Sequence, residues 1–149
     1  MAEVVFRSTQ HLNEADLRAM AVFLKSLPPE PATAPAGSEA PAASRARGGA
    51  IYERQCAQCH GDDGQGAPGA YAPLAGNRAV TLNSPANVVR MVLDGGFTPT
   101  TAGNPRPYGM PPFAHSLDNA DIAAVVSYIR NAWGNRASQV SPLDLMRYR

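Results

Sequence analysis

The sequence predicts an all-α fold with three main helices joined by long loops. Three observations lead there. After residue 44, apolar residues recur at helical spacing in three segments, each opening on a residue suited to cap a helix. The stretches between them are rich in glycine and proline. No run alternates apolar and polar residues over a strand's useful length.

The 149 residues suffice for one ordinary domain, or a small one with extras. A hydrophobic fraction of 44% supports a core, and a net charge of +1 gives no field that would draw nucleic acid. No apolar run reaches the roughly eighteen residues that a bilayer span needs, so the chain is expected to be peripheral to a membrane at most. The start, MAEVVFRSTQH, lacks the basic and apolar regions of a secretion signal, and any export signal is expected outside this sequence.

Composition divides the chain into residues 1–27, 28–47 and 48–149. The first part holds LNEADLRAMAVFLKSLP, Leu12 to Pro28, a complete amphipathic helix. The second has five prolines among alanines and small polar residues, and reads as an extended linker. The first main helix then runs from about Arg45 into Cys59, with Ser44 as its N-cap. The second is SPANVVRMVLDGG, where Ser84 caps, Pro85 suits the first turn and Gly95 stops the helix. The third is LDNADIAAVVSYIRNAW. Asp118 caps it with Asp121 at N3, Leu117 and Ile122 form a staple, and Ile122, Val125, Val126, Ile129 and Trp133 share one face.

The early helix repeats the last one at an offset of 105. Leu12, Ala15, Asp16 and Ala19 meet identical residues, while Asn13, Leu17, Phe23, Leu24 and Lys25 meet Asp118, Ile122, Tyr128, Ile129 and Arg130. Residues 1–27 therefore read as the last helix of a preceding domain of the same kind. Chance likeness between two capped amphipathic helices is the competing reading.

The two cysteines stand three apart in CAQCH. Thiols one helical turn apart can add to the two vinyl groups of a porphyrin, and the adjacent histidine then lies under the iron, so Cys56, Cys59 and His60 predict one covalent haem c. A redox dithiol would want a strand before the motif, and a zinc site further ligands; neither is visible. Candidates for a sixth iron ligand are Met91, Met110, Met146 and His115. Met91 lies among the core-like residues of the second helix, and Met146 in a polar tail, VSPLDLMRYR, expected to be loose or partner-bound. Met110, in PYGMPPF, is the favoured ligand: Gly109 permits a tight turn, and Pro111 and Pro112 hold the chain extended. A methionine in a surface turn is the bland alternative.

These residues resemble a class I cytochrome c domain from about Arg45 to Trp133. The resemblance implies the cytochrome c fold around one covalently bound haem. It also implies that Gly48 and Tyr52 mark where the first helix crosses the last at Tyr128, that the Pro73 carbonyl takes the proton on the other nitrogen of His60, and that Leu74 packs on the haem face. CAQCHGDDGQGAPGAYAPLAGN, VVRMVLDGG, MPPFAHSL and SYIRNAWGN resemble more closely the last domain of the three-haem cytochrome subunit of bacterial membrane-bound alcohol, gluconate and sorbitol dehydrogenases. Two CxxCH motifs of that subunit are absent, so the chain reads as a piece or truncated form of one. Met1 stands where a stranded axial ligand of the preceding domain, or an ordinary initiator, would stand.

The implied function is one-electron transfer with His60 and Met110 as axial ligands. The implied partners are a dehydrogenase catalytic subunit and the quinone or terminal oxidase side. The place is the periplasm, where covalent haem attachment matures. The chain is expected to be an electron carrier rather than an enzyme, since no hydrolytic constellation of serine, histidine and acid offers itself. The alternative is a haem peroxidase or small-ligand sensor with a displaceable sixth ligand. From Arg45 on, ten arginines face seven acids; that excess could orient docking to an acidic partner, and solvated arginine is the commoner explanation.

Overall fold

The computed structural model describes residues 2–29 and 40–149. Met1 and residues 30–39, on which the stranded-ligand reading and most of the expected linker fall, lie outside the described residues. The described residues divide into two compact units, 2–29 with 97–109, and 40–96 with 110–149.

In the first unit, α1 (Ala2–Arg7) leads through a short 3-10 turn into α2 (Glu14–Ser26). The Asn13 side chain accepts the Asp16 N–H at 2.8 Å, which satisfies one of the free donors of the first turn. The apolar residues of α2 are exposed, Phe23 by 63% and Leu24 by 61%. In the segment 97–109, Thr101 and Asn104 pair across a tight turn.

In the second unit, α3 (Ala42–Gln55) is followed by α4 (Ala57–His60), α5 (Arg78–Thr81), α6 (Ala86–Asp94), α7 (Asn119–Ile129) and α8 (Pro142–Leu145). Two strands of two residues, β1 (Gly96–Phe97) and β2 (Gly109–Met110), form the one sheet among the described residues. The architecture is thus all-α with a minimal sheet.

The three main helices occur close to their sequence signals, with differences at the ends. α3 begins at Ala42, not near Arg45, and Pro41 rather than Ser44 occupies the N-cap position. Ala42, Ala43 and Ala46 are strong helix formers, and a proline is tolerated where no N–H is needed, so the helix extends back to it. Pro85 likewise takes the N-cap position of α6, with Ser84 Oγ accepting the Ala86 N–H at 3.4 Å. Gly95, at φ +64°, ends α6 as expected. Asp118 caps α7 by accepting the Asp121 N–H at 2.7 Å. α7 stops at Ile129, however, and Trp133 lies beyond it with φ +52° rather than on the helical stripe.

α3 crosses α7 closely. A Cβ at Gly48 would fall 2.3 Å from the Ala124 carbonyl oxygen, so only glycine admits this approach. Arg47 closes the same crossing from the side, with Nη2 2.8 Å from Asp121 Oδ1. Two apolar clusters flank α7. One is Ile51, Tyr52, Val80, Val125 and Ile129. The other gathers Val89, Val92, Leu93, Phe113, Ile122, Val126, Val140 and Leu145.

The last fifteen residues are built into this unit, against the expectation of a loose or partner-bound tail. Leu145 is fully buried in the second cluster. Arg130 is fully buried too, and is not a solvated charge: it donates to the carbonyls of Val80 and Ser138 at 2.6 and 2.9 Å and to Ser138 Oγ at 3.1 Å. Its carbonyl and hydroxyl partners explain how an arginine can be held there without a carboxylate.

Candidate haem site

The site begins where α3 ends. At Cys56 the backbone leaves helical geometry (φ −123°), and its N–H still donates to Tyr52 O at 2.8 Å. α4 then resumes for one turn, with the Cys59 and His60 N–H groups both donating to Cys56 O at 3.1 and 2.9 Å. Gly61, at φ +75°, turns the chain away directly after His60. The two thiols are therefore one turn apart, half-buried and free. Burial, then the neighbouring Cys59, pushes the Cys56 thiol up to about 11, so at neutral pH it is protonated.

The His60 ring is held from behind. Its Nδ1–H donates to the Ala72 carbonyl at 2.9 Å, which leaves Nε2 as the acceptor nitrogen. The expected partner was the Pro73 carbonyl, one residue on. That carbonyl instead accepts from Asn77 Nδ2 at 2.8 Å. The local turn accounts for the shift. The N–H groups of Leu74 and Ala75 both donate to Gly64 O, at 2.7 and 3.0 Å, which bends the chain just after Pro73. Pro73 keeps Ala72 out of helical geometry, with its carbonyl facing the imidazole. Gly66 completes this wall: a Cβ there would fall 2.4 Å from Tyr71 O.

Aromatic rings brace the same region. Tyr52 stands at 4.9 Å from Trp133 and 5.6 Å from Tyr128, centroid to centroid, and its hydroxyl donates to Gly61 O at 2.6 Å. Burial pushes the Tyr52 phenol well above its ordinary range, so it stays a donor. Trp133 Nε1–H donates to Asp62 O at 2.9 Å.

Of the expected pocket residues, Leu74 and Cys56 are half-buried against the Ile51 cluster, and Met110 is half-buried against the Phe113 cluster. Val88 and Leu117 pack on both clusters, so they join the Cys56–Leu74 side to the Met110 side. The result is a set of incompletely buried apolar side chains that links the Cys56–Leu74 side to the Met110 side, and a histidine whose Nε2 is left as the acceptor nitrogen. This donor set and surface suit a flat apolar macrocycle with an iron centre.

Met110 is placed by the end of α6. The Phe113 and Ala114 N–H groups donate to the otherwise free carbonyls of Val92 and Leu93, at 3.0 and 3.2 Å. A Cβ at Gly95 would fall 2.4 Å from Met110 O, so glycine is what lets the two segments touch. The other candidates are placed differently. Met91 is 47% exposed, not a core residue, because Val89, Val92 and Leu93 take the inward face of α6. His115 and Met146 are exposed, with Met146 just after α8.

Two supporting residues had no sequence signal of their own. Asn135 is buried, its amide donating to the carbonyls of Leu74 and Ile129 and its oxygen accepting the Gly76 N–H. It ties the loop behind His60 to the end of α7. Gly64 lies against the Trp133 ring, where a Cβ would approach to 2.5 Å.

Comparison with known proteins identifies the family. The cytochrome c family model matches residues 45–133. The chain is 37% identical, over its whole length, to the cytochrome c subunit of a quinone-dependent alcohol dehydrogenase from Gluconacetobacter polyoxogenes, covering 34% of that protein. It is 33% identical over 92% of its length to the gluconate 2-dehydrogenase cytochrome c subunit of Pantoea cypripedii, covering 33% of it. It is 28% identical over 95% of its length to the fructose dehydrogenase cytochrome subunit of Gluconobacter japonicus. The chain thus spans about a third of the length of these relatives.

Proposed function

The chain belongs to the cytochrome c family, and from that premise we propose that it is a one-electron carrier working within a quinone-linked dehydrogenase complex. The family's cofactor is covalent c-type haem, and Cys56 and Cys59 fit its attachment. When bound, the haem supplies the ferric/ferrous couple.

The observation that carries the proposal is the held ring of His60. A carbonyl on Nδ1 fixes the tautomer and makes Nε2 a stronger donor to iron. Met110, half-buried on the Phe113 cluster with Val88 and Leu117, would supply a thioether as the second ligand. With both ligands in place no position would be left for substrate at the metal, which favours electron transfer over peroxidase or sensor chemistry. Electrons come from a catalytic dehydrogenase subunit and leave towards quinone or a terminal oxidase. Covalent haem attachment places the protein in the periplasm; no helix among the described residues is long and apolar enough to cross a membrane.

α2 belongs to the same reading. Leu17, Met20, Phe23 and Leu24 are exposed where their counterparts in α7, Ile122, Val125, Tyr128 and Ile129, are buried or half-buried. α2 offers the face that a last helix of this family presents to a first helix, and we read residues 1–27 as that helix of a neighbouring haem domain, joined by the segment that precedes α3.

A redox titration tests the function. A reversible one-electron curve without peroxide-driven oxidation of phenolic donors supports it, and peroxidase turnover would move the alternative ahead.

A further inference from the structure

The cytochrome c match ends at residue 133, and the sixteen residues that follow carry structure the family does not assign. They are anchored in sequence. Arg130 seizes Ser138 by its carbonyl and hydroxyl, and Ser127 Oγ donates to Val140 O and accepts the Val140 N–H at 3.2 and 2.9 Å. Ser141 and Asp144 form a reciprocal capping box that starts α8 with Pro142 in its first turn. Leu145 then enters the cluster of Val89, Val92, Leu93 and Phe113, and Tyr148 packs against it from outside. Arg149 reaches the carbonyls of Ala114 and Leu117 at 3.3 and 3.4 Å.

Met110 rests on that same cluster, and Phe113 and Ala114 are the residues that pin its segment to α6. The Met110–Leu117 segment is therefore held on one side by the end of α6 and on the other by Val140–Arg149. We propose that Val140–Arg149 is a clamp that positions Met110, with Leu145, Tyr148 and Arg149 as positioning residues that set how often the thioether lets go of the iron. The inference rests on Met110 being the sixth ligand. A clamp acts by raising the free energy of local opening of the segment it covers, so removing it speeds ligand exchange more than it lowers overall stability.

The test uses the full chain matured with haem, in the ferric state, and follows the rate at which cyanide displaces the methionine. Leu145→Ala and Tyr148→Ala are compared with Gly48→Ala, which strains the crossing of α3 and α7 at Ala124. Tyr148, half-buried, is the variant that reads out where Leu145→Ala does not fold. The clamp predicts uptake about tenfold faster in the two clamp variants, and within about twofold of the unaltered rate in Gly48→Ala at comparable loss of stability. Equal acceleration in all three, or in none, overturns it. A far-red sulfur-to-iron band that is missing from the unaltered ferric protein overturns the ligand reading itself. A band that is present and lost in Met110→Ala keeps that reading intact whatever the clamp variants do.

Discussion

His60 Nδ1 lies 2.9 Å from the carbonyl oxygen of Ala72, twelve residues along the chain. The acceptor is backbone, so its aim depends on what restrains residue 72, and that is Pro73. Pro73→Ala is predicted to loosen this hydrogen bond, weaken donation from Nε2 and so raise the midpoint potential. Thermal stability should fall by less than about 1 kcal/mol. A spectroelectrochemical titration checks the sign.

Gly48 and Gly49 sit side by side in α3, but only one is required. Gly48→Ala drives a methyl into the Ala124 carbonyl at 2.3 Å and is predicted to cost about 2–3 kcal/mol or more. Gly49→Ala meets only the edge of Tyr128 at 3.3 Å, and should change stability by less than about 1 kcal/mol, since the helix propensity gain offsets the crowding. Denaturant melts of the pair separate the two.

Arg130 should be among the costly side chains to truncate. Burial pushes its guanidinium below the ordinary value, yet three acceptors surround it. Arg130→Ala leaves the Val80 and Ser138 carbonyls without their donor and opens a cavity, at a predicted cost of about 3 kcal/mol or more. Arg130→Lys cannot reproduce the fork and should fall between, again by denaturant melts.

Asp144 provides a pH test. The backbone N–H and hydroxyl of Ser141, at 2.9 and 2.7 Å, hold its carboxyl below the ordinary 3.8. A lowered folded-state pKa stabilises above the unfolded value and is lost as pH falls through the folded one. Ser141→Ala should return the Asp144 titration towards 3.8, flatten that acid slope and cost up to about 1 kcal/mol near neutrality. Side-chain NMR titration reads the first effect directly.

Local chemistry was the legible part of this chain. The cap of Asp118 on Asp121 involves residues three apart, whereas the crossing at Gly48, Tyr52 and Tyr128 was expected from the family resemblance and not from the residues alone. What could not be read depends on distant turns. Whether Ala72 or Pro73 faces His60 is decided by where Gly64 O gathers the N–H groups of Leu74 and Ala75. Arg130 looks like any exposed helical arginine until Ser138 covers it. The clamp contributes only Val140, Leu145 and Tyr148 to the core, too few and too irregularly spaced to show a period.

The central claim is that His60 and Met110 together close the iron. The most direct test is the visible spectrum of the haem-matured protein, ferric and ferrous, beside that of Met110→Ala. The account predicts a sharp ferrous c-type band, a weak far-red ferric band that Met110→Ala abolishes, and slow cyanide uptake that becomes fast in the variant. A high-spin ferric haem that binds cyanide at once, unchanged by Met110→Ala, would contradict it.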